Sequence, residues 1–260
     1  MNICCIVRPA PGWDKLRFNL VTGAVEVPAD TALGLSAFGE GTWVLNPSDR
    51  AALDLAAGLA GADGAAGQIT ALALATEDPT AAEAALREAL ARGAMHAVLL
   101  TGLEEADSVV ATGALSAAVR KVAAAAPVEL VLLGAENPDG SPDEVGPMLA
   151  EALGWAGLTA ARRLEALSLP AARPLVVSVQ FDPAAQPRYA QARAVLGAYR
   201  ERTMESMAHA DLDLPDEAPR TPRVLVRRAA LGDAPPAERL KDSVEESVAV
   251  LVQGLRQIGF

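Results

Sequence analysis

The sequence predicts an α/β protein built on a doubly wound, mostly parallel sheet. Short apolar runs of β type alternate with longer Ala-rich helical stretches from Ile3 to Gln180. The apolar runs are nearly continuous in hydrophobicity, as strands covered on both faces are, and their connections are long enough for right-handed crossovers. Hydrophobic residues make up 51% of the 260 positions and aromatics only 3%. Such a core is built mainly from Ala, Leu and Val, which suits helices packed closely on a sheet.

The first strand covers Ile3 to Val7, followed by a helix over 49–59, a strand from Ile69 to Ala75 and a helix over 79–92. A strand from Ala97 to Leu100, a helix over 106–124, a strand from Val128 to Leu133, a helix over 142–153 and the strand LVVSVQ ending at Gln180 complete the alternation. Asp78-Pro79-Thr80 places a proline in the first turn of its helix and Gly93 follows the end. Ser141-Pro142-Asp143-Glu144 puts acids where they favour the positive end of the next helix dipole. From Asp211 to Pro236 the chain turns rich in proline and charge, which marks a linker or extended arm. It ends in a helix from Ser243 to Gln257 whose Val244, Val248, Leu251 and Leu255 share one stripe. The expected organisation is an α/β domain over 1–210 and an arm with a helix over 211–260 that docks on this domain or on a partner.

A net charge of -11 repels phosphate backbones and anionic lipid, which argues against nucleic-acid and membrane-surface roles. Cys4 and Cys5, the only cysteines, are neighbours whose side chains point to opposite faces of a strand. They cannot staple the fold, and they are too few for a metal cluster or a disulfide scaffold. The run ICCIV is too short for a signal-peptide core, and no apolar stretch approaches the roughly 20 residues of a membrane span. The expectation is a cytoplasmic protein without membrane insertion.

One loop stands out as a site for chemistry. GAENPDGSPDEVGP, Gly134 to Pro147, runs from a buried strand into a helix, the location where open α/β sheets bind anions. Gly140 permits a tight turn, and the loop amides can reach phosphate oxygens. An ordinary Asp-Gly turn before a capped helix accounts for the same residues, because neither a P-loop nor a GxGxxG fingerprint is present. His96 and His209, the only histidines, lack a neighbouring nucleophile and fit structural or solvent-exposed roles. No GxSxG, HExxH or CxxC occurs, so hydrolase and metal chemistry have no support in the sequence. The stretch QPRYAQARAVLGAYRERT, Gln186 to Thr203, opens on a Pro-Arg-Tyr turn and continues as an arginine-rich helix. Arg and Tyr are typical interface residues, and an exposed basic helix face fits equally.

Several segments in order resemble the β subunit of electron-transfer flavoproteins. VRPAPGWD is similar to the VKQVPD-type start of that family, LNPSDRAALDLA to its Asn-Pro-aromatic segment, and EAALREALARGAMHAVLLT to its helix-to-strand passage. DSVVATGALSAAVRK follows the next helix, LLGAENPDGSPDEVGPMLAEALG has the form of the nucleotide loop, and QPRYAQARAVLGA resembles the Asn-Glu-Pro-Arg-Tyr segment. The resemblance implies a Rossmann-like fold of the adenine nucleotide alpha hydrolase-like kind and a heterodimer with an α subunit that receives the terminal helix. It also implies one FAD bound mostly by α and shielded by β, with AMP, or a second FAD in bifurcating members, held within β. By position, Asn46, Asp139, Gly140, Ser141, Glu144, Val145 and Gly146, with the backbone near Ile6 and Thr76, line that nucleotide site, and Trp13 falls near the flavin. Pro187-Arg188-Tyr189 leads into the loop that docks electron-donating dehydrogenases, with Ala192 where an apolar anchor, typically leucine, stands. The implied function is to carry electrons from dehydrogenases to an acceptor without substrate turnover. The alternative is a nucleotide-free structural or regulatory paralogue.

The departures from the family pattern are specific. Ser48 replaces an aromatic that approaches the flavin, and Glu136, Glu144 and the acidic Thr76-Glu77-Asp78 put carboxylates where phosphate is expected. Close like charge weakens phosphate binding by a few kcal/mol, which sets AMP binding in question. AARRLEALSLPAARP is a shortened form of a hairpin that faces α, implying a smaller subunit interface.

Overall fold

A computed structural model describes residues 1–12, 17–18, 25–26, 43–62, 67–75, 79–103, 106–138, 141–161, 174–182, 184, 188–214 and 243–257. In chain order its elements are β1 (Asn2–Ile6), β2 (Pro9–Pro11), β3 (Arg17–Phe18), β4 (Val25–Glu26), β5 (Trp43–Leu45), α1 (Pro47–Ala62), β6 (Gln68–Leu74), α2 (Pro79–Arg92) and β7 (His96–Thr101). They continue with α3 (Ser108–Ala125), β8 (Leu130–Gly134), α4 (Val145–Leu153), β9 (Ala156–Ala161), β10 (Leu175–Val179), α5 (Ala192–Arg200), β11 (Glu205–Ala208) and α6 (Val244–Gln257). Two compact units divide the chain. One comprises Met1–Leu16 with Val27–Val226, and the other Arg17–Glu26 with Arg227–Phe260.

The larger unit is built on a seven-stranded sheet in the order β11-β7-β6-β1-β8-β10-β9. Every pairing in it is parallel. The chain moves outward from β1 through β6 to β7, then returns to place β8 on the other side of β1. The strand order therefore reverses between β1 and β8, and a crevice opens beyond their carboxyl ends, where sheets of this kind bind ligands.

Apolar burial fixes the two faces. Ile3, Cys5 and Val7 pack with Leu53 of α1, Leu86 of α2 and Val195 of α5. Cys4 and Ile6 face the opposite way, onto Leu115 of α3 and Leu149 of α4. The adjacent cysteines thus stand on opposite faces, as the strand period requires. Burial pushes the Cys4 thiol up to about 12 and the Cys5 thiol well above its ordinary value, which leaves both unreactive.

Helix ends follow their caps. α2 spans the expected residues and stops before Gly93, whose φ of +122° suits glycine. α3 starts at Ser108 rather than 106 because Asp107 caps it, its side chain accepting from Val110 N at 2.9 Å. α4 begins at Val145 rather than 142, since Pro142 bridges back to Glu136. Contrary to the expectation that no stretch approaches a membrane span, α3, at 18 residues, is long and apolar enough to pass for one by length and composition. Half of it is buried in the core, as in the core helix of an α/β domain.

The edge strands β9 and β11 go beyond the sequence reading. Their sequences, AGLTAA and ESMA, lack an apolar run because neither is covered on both faces. They form because β10 and β7 present open rows of backbone donors and acceptors. In the smaller unit β3 pairs antiparallel with β4, and α6 exposes Val244 and Val248. The arm over 215–242 and the shortened hairpin over 162–173 lie outside the described residues.

Candidate functional site

The crevice between β1 and β8 is organised by one arginine. β1 ends at Ile6, and Arg8, two residues on, turns into the crevice while its own amide donates to Asp49 Oδ2 at 2.9 Å. Its guanidinium forms a fork on Asp49, Nε to Oδ2 at 3.0 Å and Nη2 to Oδ1 at 2.8 Å. Nη1 donates to Asp143 Oδ1 and to Asn137 Oδ1, both at 2.8 Å, and Nη2 reaches Gly134 O at 3.0 Å.

Asp49 sits in the first turn of α1 and its side chain is fully buried. It also accepts from Gly134 N at 2.6 Å, so α1 starts directly on the end of β8. A Cβ at Gly134 would lie 2.2 Å from Ser48 Oγ and 2.5 Å from Asp49 Oδ1, which is why glycine stands there. Asn46 and Ser48 pin the following loop. Asn46 Nδ2 and Ser48 Oγ each donate to Glu136 O at 2.8 Å.

Asp143 closes the cluster from the other side. Its Oδ2 accepts from Gly146 N at 3.2 Å, and Val145 N also donates to its carboxylate. Gly146 is buried against β10, where an added Cβ would lie 2.2 Å from Ser178 Oγ. Burial alone lowers the Arg8 pKa, but Asp49 and Asp143 outweigh it and carry that pKa upward. For Asp143 the balance falls the other way: burial raises its pKa by more than Arg8 and the two amides hold it down. One guanidinium between two carboxylates leaves the cluster a net negative charge.

Of the expected nucleotide-site residues, Ile6 ends β1 with a buried side chain, while Asn46, Ser141, Glu144, Val145 and Gly146 gather around the crevice. Ser141 is exposed, its carbonyl accepting from Asn137 N at 2.8 Å. Glu144 is exposed and makes no capping bond. Trp13, Thr76, Asp139, Gly140 and Pro187 lie outside the described residues. The sequence reading passed over Arg8, Asp49 and Asn137, and took Asp143 only as a helix-start acid. Their signals were available: a charged residue just past a buried strand, and an acid in the first turn of the next helix, each near the carboxyl edge of the sheet.

A nucleotide phosphate at the start of α4 would need the two amides that Asp143 already holds, beside a second buried carboxylate, Asp49. The residues present do not fit a phosphate in that position.

Arg188, Tyr189 and Ala192 belong to a second region. Arg188 N donates to Asp54 Oδ2 at 3.3 Å, Tyr189 is 84% exposed, and exposed Ala192 starts α5. Tyr189 lines a cavity of about 240 Å³ with Arg50, Arg87, Glu88, Arg92 and Tyr199. Glu88 holds Arg50 at 3.2 Å and Arg92 at 2.9 Å, and Arg92 reaches Asp54 at 3.4 Å. Arg87 lies over the Tyr199 ring at 5.9 Å.

A family model, the electron transfer flavoprotein domain, matches residues 37–179, more than half of the chain and every element from β5 to β10. Protein FixA of Bradyrhizobium diazoefficiens is 36% identical over 164 residues, covering 61% of this chain and 50% of that protein. The electron transfer flavoprotein subunit beta of Thermoanaerobacterium thermosaccharolyticum is 27% identical over 233 residues, covering 82% of this chain and 81% of that protein. That of Megasphaera elsdenii is 38% identical over 127 residues, covering 47% of this chain and 46% of that protein. The alignment thus takes in about half of the length of two of these relatives and most of the third. With the family match over more than half of its length, this chain belongs to the electron transfer flavoprotein family.

Proposed function

We propose that the chain is the β subunit of an electron transfer flavoprotein, a cytoplasmic carrier without substrate turnover of its own. Paired with an α subunit, it shields a FAD held mostly by α and passes electrons from dehydrogenases to a downstream acceptor. FAD supplies the redox chemistry, and the protein supplies binding, orientation and electrostatics.

The observation that carries this reading is the alignment with the Thermoanaerobacterium β subunit across 82% of this chain and 81% of that protein. The crevice chemistry agrees with it. Arg8 is committed to two carboxylates, an arrangement that holds charge in place rather than relaying protons. The exposed segment Arg188–Tyr189–Ala192, anchored by its backbone to Asp54 and Arg92, is the surface offered to a dehydrogenase. A rigid backbone under an exposed tyrosine lowers the entropy lost on docking.

The test is co-expression with a candidate α subunit, followed by an absorption spectrum. The expected result is about one FAD per pair, reduced by a dehydrogenase and reoxidised by an acceptor. A colourless pair would overturn the proposal and favour the structural or regulatory paralogue.

A further inference from the structure

The start of α4 combines three features that ordinarily bind a phosphate: a helix N-terminus, a topological switch point and an arginine directed into the crevice. Here all three converge on the carboxylate of Asp143. Its Oδ2 takes Gly146 N at 3.2 Å, Val145 N donates to the same carboxylate, and Oδ1 takes Arg8 Nη1 at 2.8 Å. The side chain is 1% exposed, so it lies within the cradle and not at its rim.

We infer that Asp143 is a built-in anion: its carboxylate occupies the place a bound phosphate monoester takes at this point of an open α/β sheet, and so closes the cradle to nucleotides. Three physical points support the assignment. The helix amides and the guanidinium that would recognise a phosphate are already engaged. The cluster carries a net negative charge, so an incoming dianion meets repulsion in a region where water screens poorly. The neighbouring backbone is held independently of any ligand, because Asn46 and Ser48 bind Glu136 O and Asn137 N donates to Ser141 O at 2.8 Å. Asp143 is then the residue that decides whether this chain takes a mononucleotide, and a structural nucleotide is replaced by a side chain.

The experiment uses the full chain, alone or purified with its α partner. Denatured wild-type protein is expected to release no AMP, and calorimetric titration with AMP or inorganic phosphate to give no saturable binding at millimolar concentration. Asp143→Ala frees the two amides and one arm of Arg8, and is expected to bind AMP at least tenfold more tightly than wild type. Asp143→Asn removes the charge but keeps an oxygen for the amides, and is expected to gain a smaller, severalfold affinity; it serves as the readout if the alanine variant does not fold. A gain for inorganic phosphate alone supports the inference equally, with the nucleoside lying outside the cradle. Stoichiometric AMP in the wild-type protein, or no gain in either variant, would overturn it. Because the readout is nucleotide binding and not flavin content or electron flow, its failure leaves the proposed function standing, and the reverse also holds.

Discussion

Two arginine networks, one at the β1–β8 crevice and one along α1, α2 and the segment from Arg188, use the same chemistry in different surroundings. In the crevice both carboxylates are buried, the side chains of Asp49 and Asp143 being 0% and 1% exposed. In the second network the carboxylates keep more contact with water, Glu88 at 13% and Asp54 at 19%. Water near a pair weakens attraction and lowers the penalty for leaving a charge alone, so the two networks carry different weight. The buried one welds two strand ends and two helix starts together. The outer one holds a loop while leaving Tyr189 exposed.

The comparison breaks most readily at Asp49. Asp49→Ala leaves the Arg8 guanidinium without its fork and Gly134 N without its acceptor, and should cost about 3–5 kcal/mol in urea unfolding. A loss below about 1 kcal/mol would mean that Arg8 escapes to solvent and that the two networks are equivalent. Gly146→Ala tests the packing of α4 on β10, where the new Cβ meets Ser178 Oγ at 2.2 Å. Overpacking of this kind costs about 1–3 kcal/mol, read as a lowered denaturation midpoint. In the outer network Glu88→Gln removes the charge between Arg50 and Arg92, and about 1 kcal/mol or less is expected. A loss matching that of Asp49→Ala would erase the distinction. Tyr189→Ala should leave stability within about 0.5 kcal/mol of wild type, while slowing reduction by a dehydrogenase.

The smallest expected effect is on pH dependence. Asp143 has a folded pKa above its unfolded value, because burial penalises its charge by more than its partners repay. The stability it contributes is therefore full below about pH 3.9, the ordinary aspartate value, and is lost as pH rises through the folded pKa. Wild type should lose ground to Asp143→Asn from about pH 4 upward, measured as the difference between their unfolding free energies at each pH. A difference that runs the other way would show that Arg8 and the amides overcompensate burial.

The loop over Gly134 to Pro147 was legible as a place for chemistry, because a glycine-containing turn between a buried strand and a helix is a local pattern. What the loop does was not legible. Its aspartate is bound to an arginine 135 positions earlier, and that arginine to an aspartate 41 positions later. The reading of Ser48 as a lost flavin contact rested on resemblance, while in the structure it is 1% exposed and anchors Glu136.

By itself the sequence determined the α/β class, the alternation of strands and helices from Ile3 to Gln180, the opposite facing of Cys4 and Cys5, and the ends of α2. Each of these follows from apolar periodicity or a cap within a few residues. Tertiary structure decided the reversal of strand order beside β1, the recruitment of β9 and β11 to the edges, and the meeting of Arg8 with Asp49 and Asp143. The reason is the range of the forces involved. Hydrophobic patterning is written along neighbouring residues, whereas an ion network is fixed only when topology brings distant strand and helix ends to one place and removes the water between them.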